Sequence, residues 1–149
     1  MATFNEETTI NAPIKDVWRV LADIGTISQW NPGVMESYVN TDQTTGVGAG
    51  RYCDLGGKNY LDETVVAWEE NRALTMRIIG TNLPFKTADI RFTLRDEGDS
   101  TVVTVSPEYQ LKFGPIGKAM DAMFVRRTYT NGMAKLLAGL KEHVEQQAS

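Results

Sequence analysis

Two charged residues, Arg51 and Glu63, fall on faces of the chain otherwise patterned for burial. Within the run Gly50–Leu55, the two-residue repeat of a strand puts Arg51 on the face of Cys53 and Leu55. Within Tyr60–Glu69 it puts Glu63 beside Leu61, Val65 and Ala67. A charge taken out of water needs a partner. A hairpin turning at Gly56-Gly57 would lay the two strands side by side and bring the two side chains within reach of each other. Two roles fit. The pair can be structural and neutralise itself, or it can be a polar handle for the carbonyl, hydroxyl or carboxylate of a bound molecule.

Other residues offer less. Tyr109, Tyr60 and Tyr38 carry hydroxyls that can donate to a ligand, but each also fits a sheet rim with its apolar body inward. Parity puts Tyr60 opposite Glu63, hence outside. Met76, Met120, Met123, Met133 and Phe124 suit either a cavity wall or ordinary core. His143 is the one histidine and lies among Lys141, Glu142 and Glu145, on a wet helix face where it is expected to be inert. Gly46-x-Gly48-x-Gly50 precedes a strand rather than a helix, so it fits a hairpin turn and not a phosphate cradle. Cys53 and His143 cannot ligate a metal alone, and no carboxylate cluster joins them. No metal and no cofactor are expected, and no catalytic residue is assigned.

The elements that must position these groups follow from periodicity. An opening strand is expected over Thr3–Ile10. Pro13 sits at a helix start, and Ile14, Val17, Trp18 and Leu21 follow at helical spacing. A short second helix over Thr26–Trp30 stops at Asn31-Pro32-Gly33. Six strands are then expected at Val34–Asn40, Gly50–Leu55, Tyr60–Glu69, Leu74–Gly80, Phe85–Arg95 and Thr101–Tyr109. Their connections are too short for crossover helices, so the strands form an antiparallel meander. Ala88, Ile90, Phe92 and Leu94 alternate with polar residues, which gives the sheet one apolar face in need of cover. The cover is a long C-terminal helix after Gly114-Pro115, with one stripe through Ile116, Met120, Met123, Phe124, Met133, Leu136, Leu137, Leu140 and Val144. Trp18 and Trp30 are expected to anchor the short helices.

Composition sets the outer limits. With 149 residues, 42% hydrophobic and 23% charged, the chain fits a single globular domain spanning 1–149. A net charge of −4 argues against a general binder of nucleic acid or anionic membrane, which needs a clustered basic surface. The nearest basic cluster, Lys118 with Arg126-Arg127, is small and interleaved with apolar residues. One cysteine excludes an internal disulfide and favours a reducing compartment. No run approaches a membrane span, and Met1–Ile10 lacks the pattern of a signal peptide, so a cytoplasmic protein is the default expectation. Monomer and dimer remain open.

In order along the chain, Ala12-Pro13-x-x-x-Val17-Trp18, Trp30-x-Pro32, Gly46-Val47-Gly48-Ala49-Gly50-Arg51, Glu63-x-Val65-x-x-Trp68, Leu83-Pro84 and Gly114-Pro115-Ile116-Gly117 resemble the START-like helix-grip superfamily. The likeness is to its polyketide cyclase/dehydrase and lipid-transport (SRPBCC) branch and covers essentially the whole chain. It implies an α+β helix-grip fold, in which a curved seven-stranded antiparallel sheet, two short helices and a long C-terminal helix enclose a hydrophobic cavity. Candidate lining residues are then Arg51, Glu63, Val65, Met76, Ile90, Phe92, Tyr109, Met120, Met123 and Phe124. The resemblance implies a hydrophobic small-molecule ligand, a lipid, polyketide-like or aromatic compound, held by a carrier or sensor. Two alternatives stand beside this. One is a cyclase, aromatase or dehydratase that works by positioning, with Arg51 and Glu63 as its polar groups. The other is a co-chaperone or toxin-like interaction module, which would show an exposed apolar patch.

Overall fold

The computed structural model describes residues 2–148. The opening strand is broken at Phe4-Asn5 into β1 (Ala2–Thr3) and β2 (Glu6–Ile10). Helix α1 (Ile14–Ala22) and a 3-10 helix (Ile24–Gln29) follow. Six strands come next: β3 (Glu36–Val39), β4 (Gly50–Gly56), β5 (Asn59–Glu69), β6 (Ala73–Thr81), β7 (Phe85–Asp96) and β8 (Thr101–Leu111). The chain ends in α2 (Gly114–Met120), a π-helical turn (Asp121–Val125) and α3 (Arg126–Ala148).

All pairings are antiparallel. Strands β3 to β8 run as a meander, and β1 and β2 both return to pair with β8 at the far edge. The expected seven strands are therefore present, the first of them in two pieces. The sheet is open. Its curvature has a local cause in two register shifts between β5 and β6, one opposite Asp62/Glu63 with the extra residue Ile79 on β6, the other between Val65 and Ala67 with the extra residue Val66 on β5. An extra residue on one strand bends it and re-aims the side chains nearby, and Glu63 sits between those two shifts.

Val17, Trp18, Val20 and Leu21 of α1 are buried. The Trp18 ring meets Trp68 of β5 edge-on at 5.2 Å, which pins α1 to the sheet. From α3, Met133, Leu136, Leu137, Leu140 and Val144 are buried against the same core. Each such side chain contributes about 1.5–3 kcal/mol relative to exposure.

The N-terminal part of the expected helical stripe does not follow. Ile116, Met123 and Phe124 are exposed at 68%, 67% and 64%. The π turn is the reason. Its wider winding rotates the apolar face of α2 away from that of α3, so one sequence stripe becomes two faces.

Helix α3 approaches the end of the 3-10 helix closely at Gly139. A Cβ there would lie 2.0 Å from the Trp30 carbonyl oxygen, whereas nothing lies within 4 Å of one at Gly132. Gly139→Ala should therefore cost at least ~2 kcal/mol as the helix is pushed off its seat. Gly132→Ala should add about 0.5–1 kcal/mol, since its helical conformation already suits alanine. Urea denaturation of the two variants checks both signs.

Candidate functional site

Residues Arg51 and Glu63 are direct cross-strand partners on β4 and β5. Arg51 Nε donates to Glu63 Oε1 at 3.0 Å, and Arg51 Nη1 donates to the Ile24 carbonyl at 3.2 Å. The Cys53 thiol donates to the same Glu63 Oε1 at 3.6 Å. Both charged residues are nearly inaccessible, at 4% and 2%. Among the described residues, Glu63 Oε2 and Arg51 Nη2 have no protein hydrogen bond. Each charge is thus satisfied on one side and open on the other.

The open side faces a cavity of about 390 Å³ between the sheet and α3. Cys53, Leu55, Leu61, Ile78, Ile90 and Phe92 form the sheet wall. Val125, Thr128, Tyr129, Gly132, Met133 and Leu136 form the roof, and Ile27, Asn31, Gly33 and Val34 close one side. Leu83, Pro84 and Phe85 lie on the rim with Phe124, which both lines the space and is exposed to solvent. The volume is within the usual range for small-molecule sites, and the lining is apolar apart from a few convergent polar groups.

Of the candidate residues, Arg51, Glu63, Ile90, Phe92 and Phe124 line this cavity. Val65 and Met76 do not. They pair with each other across β5 and β6 and are buried in the core cluster with Val17 and Leu140. Tyr109 is fully buried in a smaller cluster with Ala88 and Leu111, and its hydroxyl donates to Asp121 of the π turn. It ties the sheet to the helix start and is not on the cavity wall. Met120, the last residue of α2, is half-buried off the cavity, and Met123, within the π turn, points to solvent. Tyr38 and Tyr60 lie on the outer face, stacked on Tyr52 from either side at 5.3 and 5.9 Å. His143 meets Gln147 at 3.2 Å and is not among the residues lining the cavity. Among the described residues no group of three or more His, Cys, Asp or Glu could hold a metal ion, and no helix is long and apolar enough to cross a membrane.

Tyr129 is the residue that sequence reading missed. It lines the cavity, and its hydroxyl has no hydrogen-bond partner among the described residues. Burial raises its pKa above the ordinary tyrosine value, and the nearby charge of Glu63 raises it further. It therefore presents a neutral O–H at physiological pH. A signal existed in the spacing Val125, Tyr129, Met133, Leu136, Leu140, which is one helical face beginning at the π turn rather than at Ile116.

The Cys53 thiol is pushed up from 9.0 to about 12, first by burial and then by Glu63, with Arg51 opposing. It stays protonated at neutral pH and is no nucleophile. The assembled site can receive a molecule with an apolar body and one polar end, met by a guanidinium N–H, a carboxylate oxygen and a phenol.

The sequence matches the family described as polyketide cyclase / dehydrase and lipid transport over residues 1–145. No curated protein matches closely enough to count as a relative. Among solved structures, a protein from Thermus thermophilus is similar at 20% identity and TM-score 0.82, covering 99% of this chain and 100% of that one. A START superfamily protein from Mycobacterium smegmatis is similar at 18% identity and TM-score 0.74, covering 95% and 98%. The Zhui aromatase/cyclase from Streptomyces sp. R1128 is similar at 14% identity and TM-score 0.79, covering 99% and 96%. At these identities the likeness is one of fold.

The pair and the thiol each give a measurable expectation. Arg51→Met leaves Glu63 as an uncompensated buried charge and should cost about 3–5 kcal/mol, whereas Arg51→Met with Glu63→Met should recover most of that loss. Denaturant melts of the two variants compare them directly. For Cys53, the folded state holds its proton between 9.0 and about 12 while the unfolded state releases it. Stability should accordingly fall as pH rises through that window, with raised Tyr109 and Tyr129 adding to the fall above 10.0. The slope should be shallower in Cys53→Ala.

Proposed function

Because the chain belongs to the polyketide cyclase/dehydrase and lipid-transport family, we propose that it binds one small hydrophobic molecule in the cavity between the sheet and α3, as a carrier or sensor. The observation that carries this reading is the buried Arg51–Glu63 pair on the wall of an otherwise apolar space, with one atom of each charge left unbonded. A purely structural pair would close those atoms off, since leaving them unmatched in an apolar interior has a cost. The ligand's apolar body would lie along Ile90, Phe92 and Leu136. Its polar end would meet Arg51, Glu63 and Tyr129.

Tyr129 supports a second reading, a cyclase-type enzyme. A flexible chain held in this cavity would be ordered for ring closure by shape alone, and positioning of that kind removes a large part of a barrier. Arg51 would polarise a carbonyl, and Glu63 or the Tyr129 phenol would carry a proton. The carrier reading needs none of these steps and is preferred for that reason.

Native mass spectrometry of the protein purified gently, followed by extraction of what is bound, tests both. A defined hydrophobic adduct is expected on the wild type. Gly132→Leu places a side chain in the open space at the cavity roof and should abolish the adduct while the thermal melt is unchanged or raised. A wild-type protein that stays empty against a panel of lipids and aromatics would overturn the reading. A ligand recovered in a cyclised form, absent from Arg51→Met/Glu63→Met, would move it to the enzyme.

A further inference from the structure

Half of the exposed large apolar side chains, four of eight among the described residues, fall between Phe113 and Phe124: Phe113, Ile116, Met123 and Phe124, each at 64–68%. The same stretch gathers the basic residues that composition left unexplained. Lys112, Lys118, Arg126 and Arg127 are all exposed. The one acid among them, Asp121, accepts the Tyr109 hydroxyl. The rest of the chain is left with 11 basic and 18 acidic residues out of 15 and 19 in all. This exposed stretch of an acidic chain is therefore basic and apolar together.

We propose that the segment Lys112–Arg127 docks on an anionic lipid surface, with the side chains of Phe113, Ile116 and Met123 entering the headgroup boundary and Lys118 and Arg127 meeting lipid phosphates. An interfacial helix has this composition, with aromatic and aliphatic groups on one face and flanking Lys and Arg. The local charge fits an anionic surface. The acidic remainder of the molecule does not prevent approach, because charges more than a Debye length away, about 10 Å at 0.1 M salt, are largely screened. Phe113 supplies an independent sign. Its backbone is left-handed, at φ 75, a conformation unusual for a bulky residue, and its ring is held out in solvent rather than folded onto the body. Phe124 belongs to this face and to the cavity rim at once, so docking would set the mouth of the cavity against the lipid. That last consequence rests on the proposed ligand-binding role. The docking itself does not.

The test is vesicle flotation of the full chain with phosphatidylcholine alone and with phosphatidylcholine containing a third phosphatidylglycerol. Binding is expected to the second only, and to weaken at 0.5 M salt. Each Lys or Arg near such a surface is worth about fivefold in partitioning, so Lys118→Glu/Arg127→Glu should lose at least tenfold, and Ile116→Glu/Met123→Glu should also fall away. All four positions are exposed, so thermal melts should match the wild type. Gly132→Leu should float like the wild type, which separates failure of this proposal from failure of the cavity reading. Absence of binding to the anionic vesicles overturns it, as does binding that survives both pairs of substitutions. A concentration-dependent dimer broken by the same substitutions, without vesicle binding, also overturns it and makes the face a contact between copies.

Discussion

Moving Arg51 and Glu63 out of water costs several kcal/mol per ion, and only close, well-bonded geometry offsets it. That requirement reaches far into the rest of the molecule. It holds β4 and β5 in one register, because a slip by one residue would pair Arg51 with Asp62 or Thr64 and put the two charges on opposite faces of the sheet. It fixes the 3-10 helix, because the second guanidinium bond goes to the Ile24 carbonyl rather than to the sheet. Glu63 also lies between two register shifts, one with its extra residue on β6 and one with it on β5, which bend the strands locally. Register and the seat of the short helices thus both serve one ion pair.

The cavity exists because the roof is held at its two ends and not between them. At one end, Gly139 lets the α3 backbone approach the Trp30 carbonyl more closely than any side chain would permit. At the other, Tyr109 bonds Asp121, and the rings of Phe4, Phe85, Tyr109 and Tyr129 pack edge-on or tilted at 5.1–6.5 Å. The helix bridges these supports. Protein interiors otherwise pack to crystal density, so a gap of this size needs such fixed ends, and here both are specified by individual residues.

Most of the architecture was legible in the chain, because period-2 runs and short turns leave no topology but an antiparallel meander. The strands fall within a few residues of their expected limits. The Arg51–Glu63 contact was legible only in part: parity puts both charges on the buried face, but their pairing comes from a turn at Gly57-Lys58 and a register shift between Asp54 and Gly56, neither of which the Gly-Gly pair specifies. The helix face was not legible. A single stripe from Ile116 to Val144 assumes constant winding, and one π turn between Asp121 and Val125 divides it. Met120 and Met123 were placed at the cavity on that assumption, and Tyr129 was passed over. Val65 and Met76 have the parity of the cavity face, but parity does not say where along a strand the roof lifts away. Tyr109 obeyed its pattern too, and found its partner in an aspartate twelve residues on, in the turn that periodicity could not foresee.

Tyr129 joins the two ends of this arrangement. Its ring packs with Phe4, Phe85 and Tyr109, the cluster that holds the π turn, while its hydroxyl is left for the cavity and the charge of Glu63 reaches it. A molecule that bonds this phenol therefore bears on the same rings that support the helix start.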